Sequence, residues 1–239
     1  MAVLTGAGVS AESGLPTFRD ALTGLWARYR PEDLATPEAF ERDPALVWDW
    51  YRMRREGVRR AEPNRAHVAL ARLEDLVPRL TLITQNVDGL HRRAGSRTVV
   101  ELHGDITRVR CSREGAAVAW WDEPPPGGEP PRCAGCGAYL RPDVVWFGEA
   151  LPEESLQRAR GAARECDLFL AVGTSNLVEP AASLPWLAAA GGAVVAVVNT
   201  AMEGQRGGAG IHHLTGPAGD VLPRLLELAW PGLGGVGRP

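Results

Sequence analysis

The chain has 239 residues, of which 45% are hydrophobic and 23% are charged, and its formal net charge is -3. This composition excludes an intrinsically disordered chain, and the small net charge gives no electrostatic basis for sequence-specific binding of nucleic acid. No run of about 18 apolar residues occurs and residues 2–8 already resemble a strand, so we expect no membrane partner, no signal peptide and a cytoplasmic location.

Four short apolar runs are spaced along the chain, and each ends at a polar or glycine-rich corner. Runs of this length and aliphatic composition are typical of parallel strands buried on both faces. Helical patterns lie between them, roughly at 66–77, 153–165 and 180–190. The sequence therefore predicts an α/β fold with a doubly wound, Rossmann-like parallel sheet. The four runs are AVLTGAG (2–8), TLITQNVDG (81–89), LFLAVGTS (168–175) and AVVAVVNT (193–200).

Two segments interrupt this alternation. Residues 21–65 are rich in Trp, Tyr and Arg and predict two or three helices, whereas residues 105–140 carry a PPPGGEPP run and three of the four cysteines. We therefore assign both segments to a second, smaller module, helical in its first part and zinc-ribbon-like in its second. The Rossmann-like domain then comprises residues 1–20, 66–104 and 141–239.

The first corner, GAGVSAESGLPTFRD (6–20), is a candidate phosphate-binding loop. Glycines that follow a strand allow a tight turn and a close approach of the backbone to a pyrophosphate near a helix N-terminus. Its spacing is not the dinucleotide fingerprint G-x-G-x-x-G, because position 11 is Ala, and such turns are also common without a ligand. The PTFRD extension favours a ligand, since Phe18 can cover a sugar and Arg19 can contact a phosphate.

Two further features could carry polar chemistry. Gln85, Asn86 and Asp88 can bind ribose hydroxyls and a carboxamide, although a polar turn in which Asp88 caps the next helix explains this corner equally well. His103, in VVELHGDI (99–106), follows another apolar run. A lone histidine is more often a structural hydrogen-bonding residue, but its near-neutral pKa makes His103 the best candidate for a general base.

Six motifs, in this order and with this spacing, resemble those of the sirtuin (Sir2) family and together span nearly the whole chain. They are GAGVSAESGLPTFRD, TQNVDGLH, ELHGD, PDVVWFGE (142–149), GTSNLVEPAA (173–182) and VVNT (197–200). The resemblance implies an NAD-dependent protein lysine deacylase, which transfers an acyl group to ADP-ribose and releases nicotinamide. Its partners would be proteins or peptides with acylated lysines. An NAD hydrolase or ADP-ribosyltransferase, and a catalytically silent NAD or ADP-ribose binding module, are the alternatives.

The resemblance also implies a role for each matching residue. His103 would be the general base, with Asn86 and Asp88 as further catalytic residues. An extended peptide would pair with backbone on both sides by strand addition. Tyr51 and Arg54 are expected to contact the acyl group of the substrate. The other residues expected to contact the substrate are Val145, Phe147, Gly148, Glu149, Asn176 and Val178. The residues expected to bind NAD are Gly6, Ala7, Gly8, Glu12, Phe18, Arg19, Gln85, Asn86, Asp88, Gly173, Thr174, Ser175, Asn199 and Ala218.

Tyr51 and Arg54 lie three residues apart in WDWYRMRR (48–55) and form a candidate acyl-binding pair. It resembles the Tyr-x-x-Arg signature of class III sirtuins, which prefer succinyl, malonyl or glutaryl lysine. If the region is helical the two side chains lie on one face, where a guanidinium and a hydroxyl can bind a carboxylate. The other interpretation is a solvated basic helix face, because Arg52 and Arg55 lie nearby.

The cysteines leave zinc binding open. Sirtuins usually hold a structural Zn²⁺ with two C-x-x-C pairs, and Cys133 and Cys136 form one such pair here. The other pair would begin at Cys111, but Glu114 stands at the fourth position. Three thiolates and a carboxylate can bind zinc, although such sites are uncommon, so zinc is a doubtful cofactor. Cys166 precedes an apolar run, and we expect it to be a buried small residue.

Overall fold

A computed structural model of the chain describes residues 1–17, 29–175, 177–200 and 210–232. Strands occur at all four apolar runs, so these predictions are confirmed. Within the described part of the chain, no helix combines the length and the apolar character that a membrane span requires. In chain order the elements are β1 (Ala2–Thr5), α1 (Gly8–Ala11), α2 (Pro31–Leu34), α3 (Pro37–Arg42), α4 (Pro44–Arg60), α5 (Arg65–Leu76), β2 (Thr81–Thr84), α6 (Leu90–Arg93), β3 (Val99–Glu101), β4 (Gly104–Cys111), β5 (Ala117–Val118), β6 (Leu140–Val144), α7 (Glu153–Glu165), β7 (Leu168–Val172), a 3-10 turn (Ala181–Ser183), α8 (Leu184–Ala190), β8 (Val194–Asn199), β9 (Ile211–Thr215) and α9 (Ala218–Ala229).

The main sheet has six parallel strands in the order β3-β2-β1-β7-β8-β9. From β1 the chain proceeds towards one edge, and from β7 it proceeds towards the other. This is the doubly wound arrangement that we predicted. Ligands of such sheets bind beyond the carboxyl ends of the strands, at the place where the strand order reverses. Here that place lies between the loops that follow β1 and β7.

Helices cover both faces of the main sheet. On one face Leu4 and Ile83 pack with α7 and α8, and on the other Val3 and Leu82 pack with α5 and α9. Burial on both faces explains why the strands are continuous apolar runs rather than alternating ones.

A smaller antiparallel sheet, with strand order β5-β4-β6, supports helix α4. Trp48 of α4 packs against Val109 and Leu140 of this sheet. Helices α2, α3 and α4 confirm the helical expectation for residues 29–65, the described part of residues 21–65, whereas we did not predict the small sheet. Strand β6 crosses residue 141, where we draw a domain boundary, and the division into two domains stays a proposal.

Helix α4 has well-defined ends. The carboxylate of Asp43 accepts a hydrogen bond from the backbone N–H of Leu46 at 3.0 Å, and a proline occupies the first turn. Two arginines lie in the last turn, where positive charge is favourable. The helix places Tyr51 in the interior and leaves Arg54 half-buried one turn further along.

Candidate active site

The loop after β1 packs directly on the loop after β7. The N–H of Gly6 donates to the carbonyl of Val172 at 3.1 Å, and the N–H of Gly8 donates to that of Gly173 at 2.9 Å. A Cβ atom added to Gly6 or to Gly8 would lie 2.8 Å from the Gly173 carbonyl oxygen. Contact between the two loops therefore requires these glycines, a reason that we did not foresee from the sequence.

Asn86 and Asp88 meet at Ser10 of α1, and all three side chains are buried. The Asn86 amide donates to Ser10 Oγ at 3.1 Å, and the Ser10 hydroxyl donates to Asp88 Oδ2 at 2.7 Å. Asp88 Oδ1 also accepts from the N–H of Leu90, the first residue of α6, at 2.9 Å. The capping interaction that we left open is thus present, within a buried polar cluster. Burial raises the pKa of Asp88, and the hydrogen bonds from Leu90 and Ser10 oppose this shift.

Two buried histidines complete the cluster, and we did not single them out from the sequence. His67 Nδ1 accepts from the N–H of Asn64 at 3.2 Å, so Nε2 carries the hydrogen and lies 3.4 Å from Ser10 Oγ. His91 Nε2 lies 2.9 Å from Thr5 Oγ1. Burial lowers the pKa of His67 to about 4 and that of His91 to about 3, so both are neutral. His67 stands three residues after Asn64, and this capping-box spacing was the available signal.

His103 lies between β3 and β4, and one of its ring nitrogens is held by the backbone. Its Nδ1 is 2.9 Å from the carbonyl oxygen of Gln85. A carbonyl can only accept, so Nδ1 carries the hydrogen and Nε2 keeps its lone pair. Burial lowers the pKa of His103, and the contact with Gln85 partly opposes this shift. A neutral imidazole with Nε2 as acceptor is the form that a general base requires.

Side chains link the corners after β2, β7 and β8. The Gln85 amide donates to Thr174 Oγ1 at 2.9 Å, and the Asn199 amide donates to the Thr174 carbonyl at 3.1 Å. Glu12 accepts from the N–H of Gly219 at 2.9 Å, beside Ala218 at the start of α9. Among the other residues singled out from the sequence, Ala7 is half-buried and Ser175 is exposed. Phe18, Arg19 and Asn176 lie outside the described residues.

The segment after β6 connects His103 to helix α4. The N–H of Val145 donates to the His103 carbonyl at 3.0 Å, and the indole N–H of Trp146 donates to the Tyr51 hydroxyl oxygen at 3.0 Å. Burial raises the pKa of Tyr51 to about 12, so the phenol keeps its proton. Burial lowers the pKa of Arg54, but an arginine in a protein remains charged. Its guanidinium carbon lies 4.8 Å from the centre of the Trp50 ring, a cation–π distance.

Three of the residues expected to contact a peptide form one turn. Phe147 is 45% exposed, and Gly148 has a φ of 87°, which favours glycine. The N–H of Glu149 closes the turn on the Trp146 carbonyl at 3.0 Å, so it is not available to pair with a peptide. Val178 lies in a separate exposed segment before the 3-10 turn.

Three thiols and one carboxylate converge beside the small sheet. The ligand atoms of Cys111, Glu114, Cys133 and Cys136 all lie within 4.8 Å of one another. These separations suit ligands around one tetrahedral zinc ion. Cys166 is not part of this group: it is buried and its thiol donates to the Ala163 carbonyl at 3.3 Å, as expected of a small interior residue.

Comparisons with known proteins agree with this geometry. A model described as the Sir2 family matches residues 6–180. NAD-dependent protein deacylase 1 of Pseudomonas aeruginosa is 55% identical over 240 residues, which cover 97% of this chain and 95% of that protein. A solved Sir2 homolog–NAD complex is similar with a TM-score of 0.89 and 46% identity, covering 98% of this chain and 90% of that one. A Sir2 structure bound to an acetylated peptide has a TM-score of 0.82 and 29% identity, covering 95% and 92%. The chain therefore belongs to the Sir2 family.

Proposed function

We propose that this chain is an NAD-dependent protein lysine deacylase that prefers succinyl or malonyl groups and also removes acetyl groups. The broader activity, NAD-dependent protein deacylation, follows from the family and from the name that its relatives share. The preference for acidic acyl groups depends on one observation. Trp146 holds the Tyr51 hydroxyl, Val145 next to it pairs with His103, and Arg54 lies one turn after Tyr51 on helix α4.

The place where the strand order reverses has side chains that fit NAD. The amides of Gln85 and Asn199 and the hydroxyl of Thr174 are neutral, so they can bind ribose hydroxyls without repelling phosphates. When bound, NAD supplies the ADP-ribose that accepts the acyl group and the nicotinamide that leaves. The residues that would hold it are Gly6, Ala7, Gly8, Glu12, Phe18, Arg19, Gln85, Asn86, Asp88, Gly173, Thr174, Ser175, Asn199 and Ala218.

In this proposal His103 takes a proton from a ribose hydroxyl through Nε2. The hydrogen bond from Nδ1 to the Gln85 carbonyl fixes the ring and its tautomer. The side chain of Gln85 also contacts Thr174 in the loop after β7. One residue thus couples the position of the base to the position of the second cofactor loop.

An acidic acyl group would meet two donors of different kinds. The indole N–H of Trp146 occupies one lone pair of the Tyr51 oxygen, so the Tyr51 hydroxyl hydrogen can point to a carboxylate. Arg54 adds a positive charge that is half-buried, where water screens it less than on an open surface. An acetyl group has no carboxylate and gains nothing from either donor. Strong recognition of succinyl and malonyl groups, with weaker acceptance of acetyl, is the result.

The acylated lysine would arrive on an extended peptide between Gly148–Glu149 and residues 176–178, and the peptide would pair with backbone groups other than the Glu149 N–H, which closes the turn. Pairing of this kind uses mainly peptide backbone, so it selects few side chains around the lysine. Acylated-lysine proteins of the cytoplasm are therefore the proposed partners, with no role for a membrane or for sequence-specific binding of nucleic acid.

The test compares acetyl-, succinyl- and malonyl-lysine versions of one peptide at saturating NAD, with acyl-ADP-ribose as the readout. We expect the highest kcat/KM for the acidic acyl groups. Arg54→Met should lower kcat/KM for the succinyl peptide about 100-fold, because a charged carboxylate loses its counter-charge, while acetyl turnover changes less than about twofold. Arg59→Met, an exposed arginine of the same helix, is the matched control and should change neither.

Other outcomes separate the alternatives. An equal loss of succinyl and acetyl turnover in Arg54→Met would show that Arg54 only supports the helix. Consumption of NAD at the same rate without any peptide would favour an NAD hydrolase. Binding of NAD with no product from any peptide would favour a silent binding module.

A further inference from the structure

The two turns that carry the cysteine cluster have the same backbone hydrogen bonds. In each, the N–H of the first residue donates to the carbonyl of the sixth, and the N–H of the fifth donates to the carbonyl of the first. The four bonds are Cys111 N to Ala116 O (2.8 Å), Gly115 N to Cys111 O (3.0 Å), Cys133 N to Ala138 O (2.7 Å) and Gly137 N to Cys133 O (2.8 Å).

Backbone conformation and sequence extend this match. The fifth residue is a glycine in the left-handed region in both turns, with φ of 68° at Gly115 and 72° at Gly137. The turns read CSREGA at 111–116 and CAGCGA at 133–138. Aligned by their hydrogen bonds, Glu114 takes the place in the first turn that Cys136 has in the second.

Among the described residues, no arginine forms an ion pair with Glu114. Its N–H donates to Cys111 Sγ at 3.4 Å, and its carboxylate lies within 4.8 Å of the three sulfur atoms. Within residues 105–140, the carboxylates that form ion pairs are those of Asp105, Glu123 and Glu129. The guanidinium of Arg113 donates to the Cys136 carbonyl at 3.3 Å rather than to the Glu114 carboxylate. A carboxylate and three thiols that form no ion pair are a set that a cation would complete.

We propose that Glu114 is the fourth ligand of a structural Zn²⁺ whose other ligands are the thiolates of Cys111, Cys133 and Cys136. The site then has three sulfur ligands and one oxygen ligand, where sirtuins usually have four sulfurs. A carboxylate oxygen is a harder ligand than a thiolate, so the site holds zinc less tightly than a four-thiolate site would. The ion joins the turn that follows β4 to the turn that precedes β6 and so stabilises the small sheet.

Cobalt substitution tests this ligand set in the full chain, produced in zinc-depleted medium supplied with Co²⁺. Sulfur-to-cobalt charge-transfer absorption increases with the number of Co–S bonds, so Glu114→Cys should absorb about one third more than the wild type. Competition with a chromophoric chelator should show zinc bound at least about tenfold more tightly by Glu114→Cys and about tenfold more weakly by Glu114→Gln. Asp122→Cys adds a thiol at an exposed position of the same insertion and should change neither quantity.

Three results would overturn the proposal. They are equal charge-transfer absorption in wild type and Glu114→Cys, unchanged zinc affinity in Glu114→Gln, and a wild-type chain that binds neither Zn²⁺ nor Co²⁺. X-ray absorption at the zinc edge of the wild type gives an answer even if a variant misfolds. Three sulfur neighbours and one oxygen in the wild type, replaced by four sulfurs in Glu114→Cys, support Glu114 as a ligand, whereas any other set of neighbours in the wild type contradicts it.

Discussion

At the residue level, the contact between His103 and the Gln85 carbonyl determines which ring nitrogen can act as a base. Because burial lowers the pKa of His103 below its ordinary value of 6.5, the ring stays neutral to lower pH than a free histidine. We predict that kcat/KM for peptide deacylation falls on acidification with a midpoint below pH 6.5. The measurement is a pH profile at saturating NAD.

Substitution of His103, the proposed base, provides the matching control. His103→Asn should reduce kcat about 1,000-fold, whereas His212→Asn, at an exposed position of β9, should leave the rate and the midpoint unchanged. A midpoint at or above pH 6.5 in the wild type would show that another group limits the rate.

Sequence motifs singled out His103, Asn86 and Asp88 as candidate catalytic residues but did not predict the contacts that set their protonation and orientation. The Gln85 carbonyl that orients His103 comes from a residue 18 positions away, after a different strand. The capping box that fixes the tautomer of His67 is visible as a spacing, but its proximity to Ser10 requires the folded chain. Residue types could thus be predicted, and tautomers and partners could not.

At the level of elements, the proline-rich insertion contacts helix α4 through the carboxylate of Glu123. The side chain of Arg55 is fully buried, and its Nη2 lies 3.0 Å from Glu123 Oε1. The indole N–H of Trp48 donates to the same carboxylate oxygen at 2.8 Å. One acidic residue of the insertion therefore neutralises a buried charge on the helix that carries Tyr51 and Arg54.

We predict that Glu123→Gln lowers the free energy of unfolding by about 2 kcal/mol, because it leaves the buried guanidinium of Arg55 without a counter-charge. The expected loss is smaller than for a fully enclosed pair, since 32% of the Glu123 side chain is exposed. Urea unfolding measures it, with Asp122→Asn as the exposed neighbouring control. If both variants unfold at the same urea concentration, the pair has no role in holding the helix.

The main sheet was predictable and the small sheet was not, for a physical reason. Strands buried on both faces are continuous apolar runs, and these stand out in the sequence. Strand β4 should alternate instead, but its register with β6 shifts between Asp105 and Val109, so the buried residues Ile106 and Val109 are three positions apart. A bulge of this kind removes the period of two that sequence patterns rely on.

At the level of the whole molecule, the buried histidines make folding sensitive to acid. His67 and His91 have folded pKa values of about 4 and about 3, below the ordinary 6.5 of an unfolded chain. Between pH 6.5 and 4 the unfolded chain therefore binds more protons than the folded one. The stabilisation is complete above pH 6.5 and is lost as the pH falls, by about 1.4 kcal/mol per pH unit for each histidine.

Two neighbouring carboxylates change the stability either at lower pH than the histidines do or in the opposite direction. Burial alone would raise the pKa of Glu101, but hydrogen bonds from Arg92 and Arg108 hold it below 4.5. Protonation of Glu101 therefore changes the stability mainly at a pH below the range in which the histidines act. The pKa of Asp88 is raised by burial, so its protonation favours the folded state on acidification and reduces the slope.

We therefore predict that the free energy of unfolding, measured with urea, decreases steadily from about pH 6.5 to about pH 5. His67→Gln should make this dependence shallower, because one group that must stay neutral is removed from the cluster. His212→Gln, which changes an exposed histidine, should keep the wild-type slope. A wild-type profile that is flat across this range would mean that the interior histidines accept protons without unfolding. The neutral state of His67 and His91 would then not be a condition of the fold.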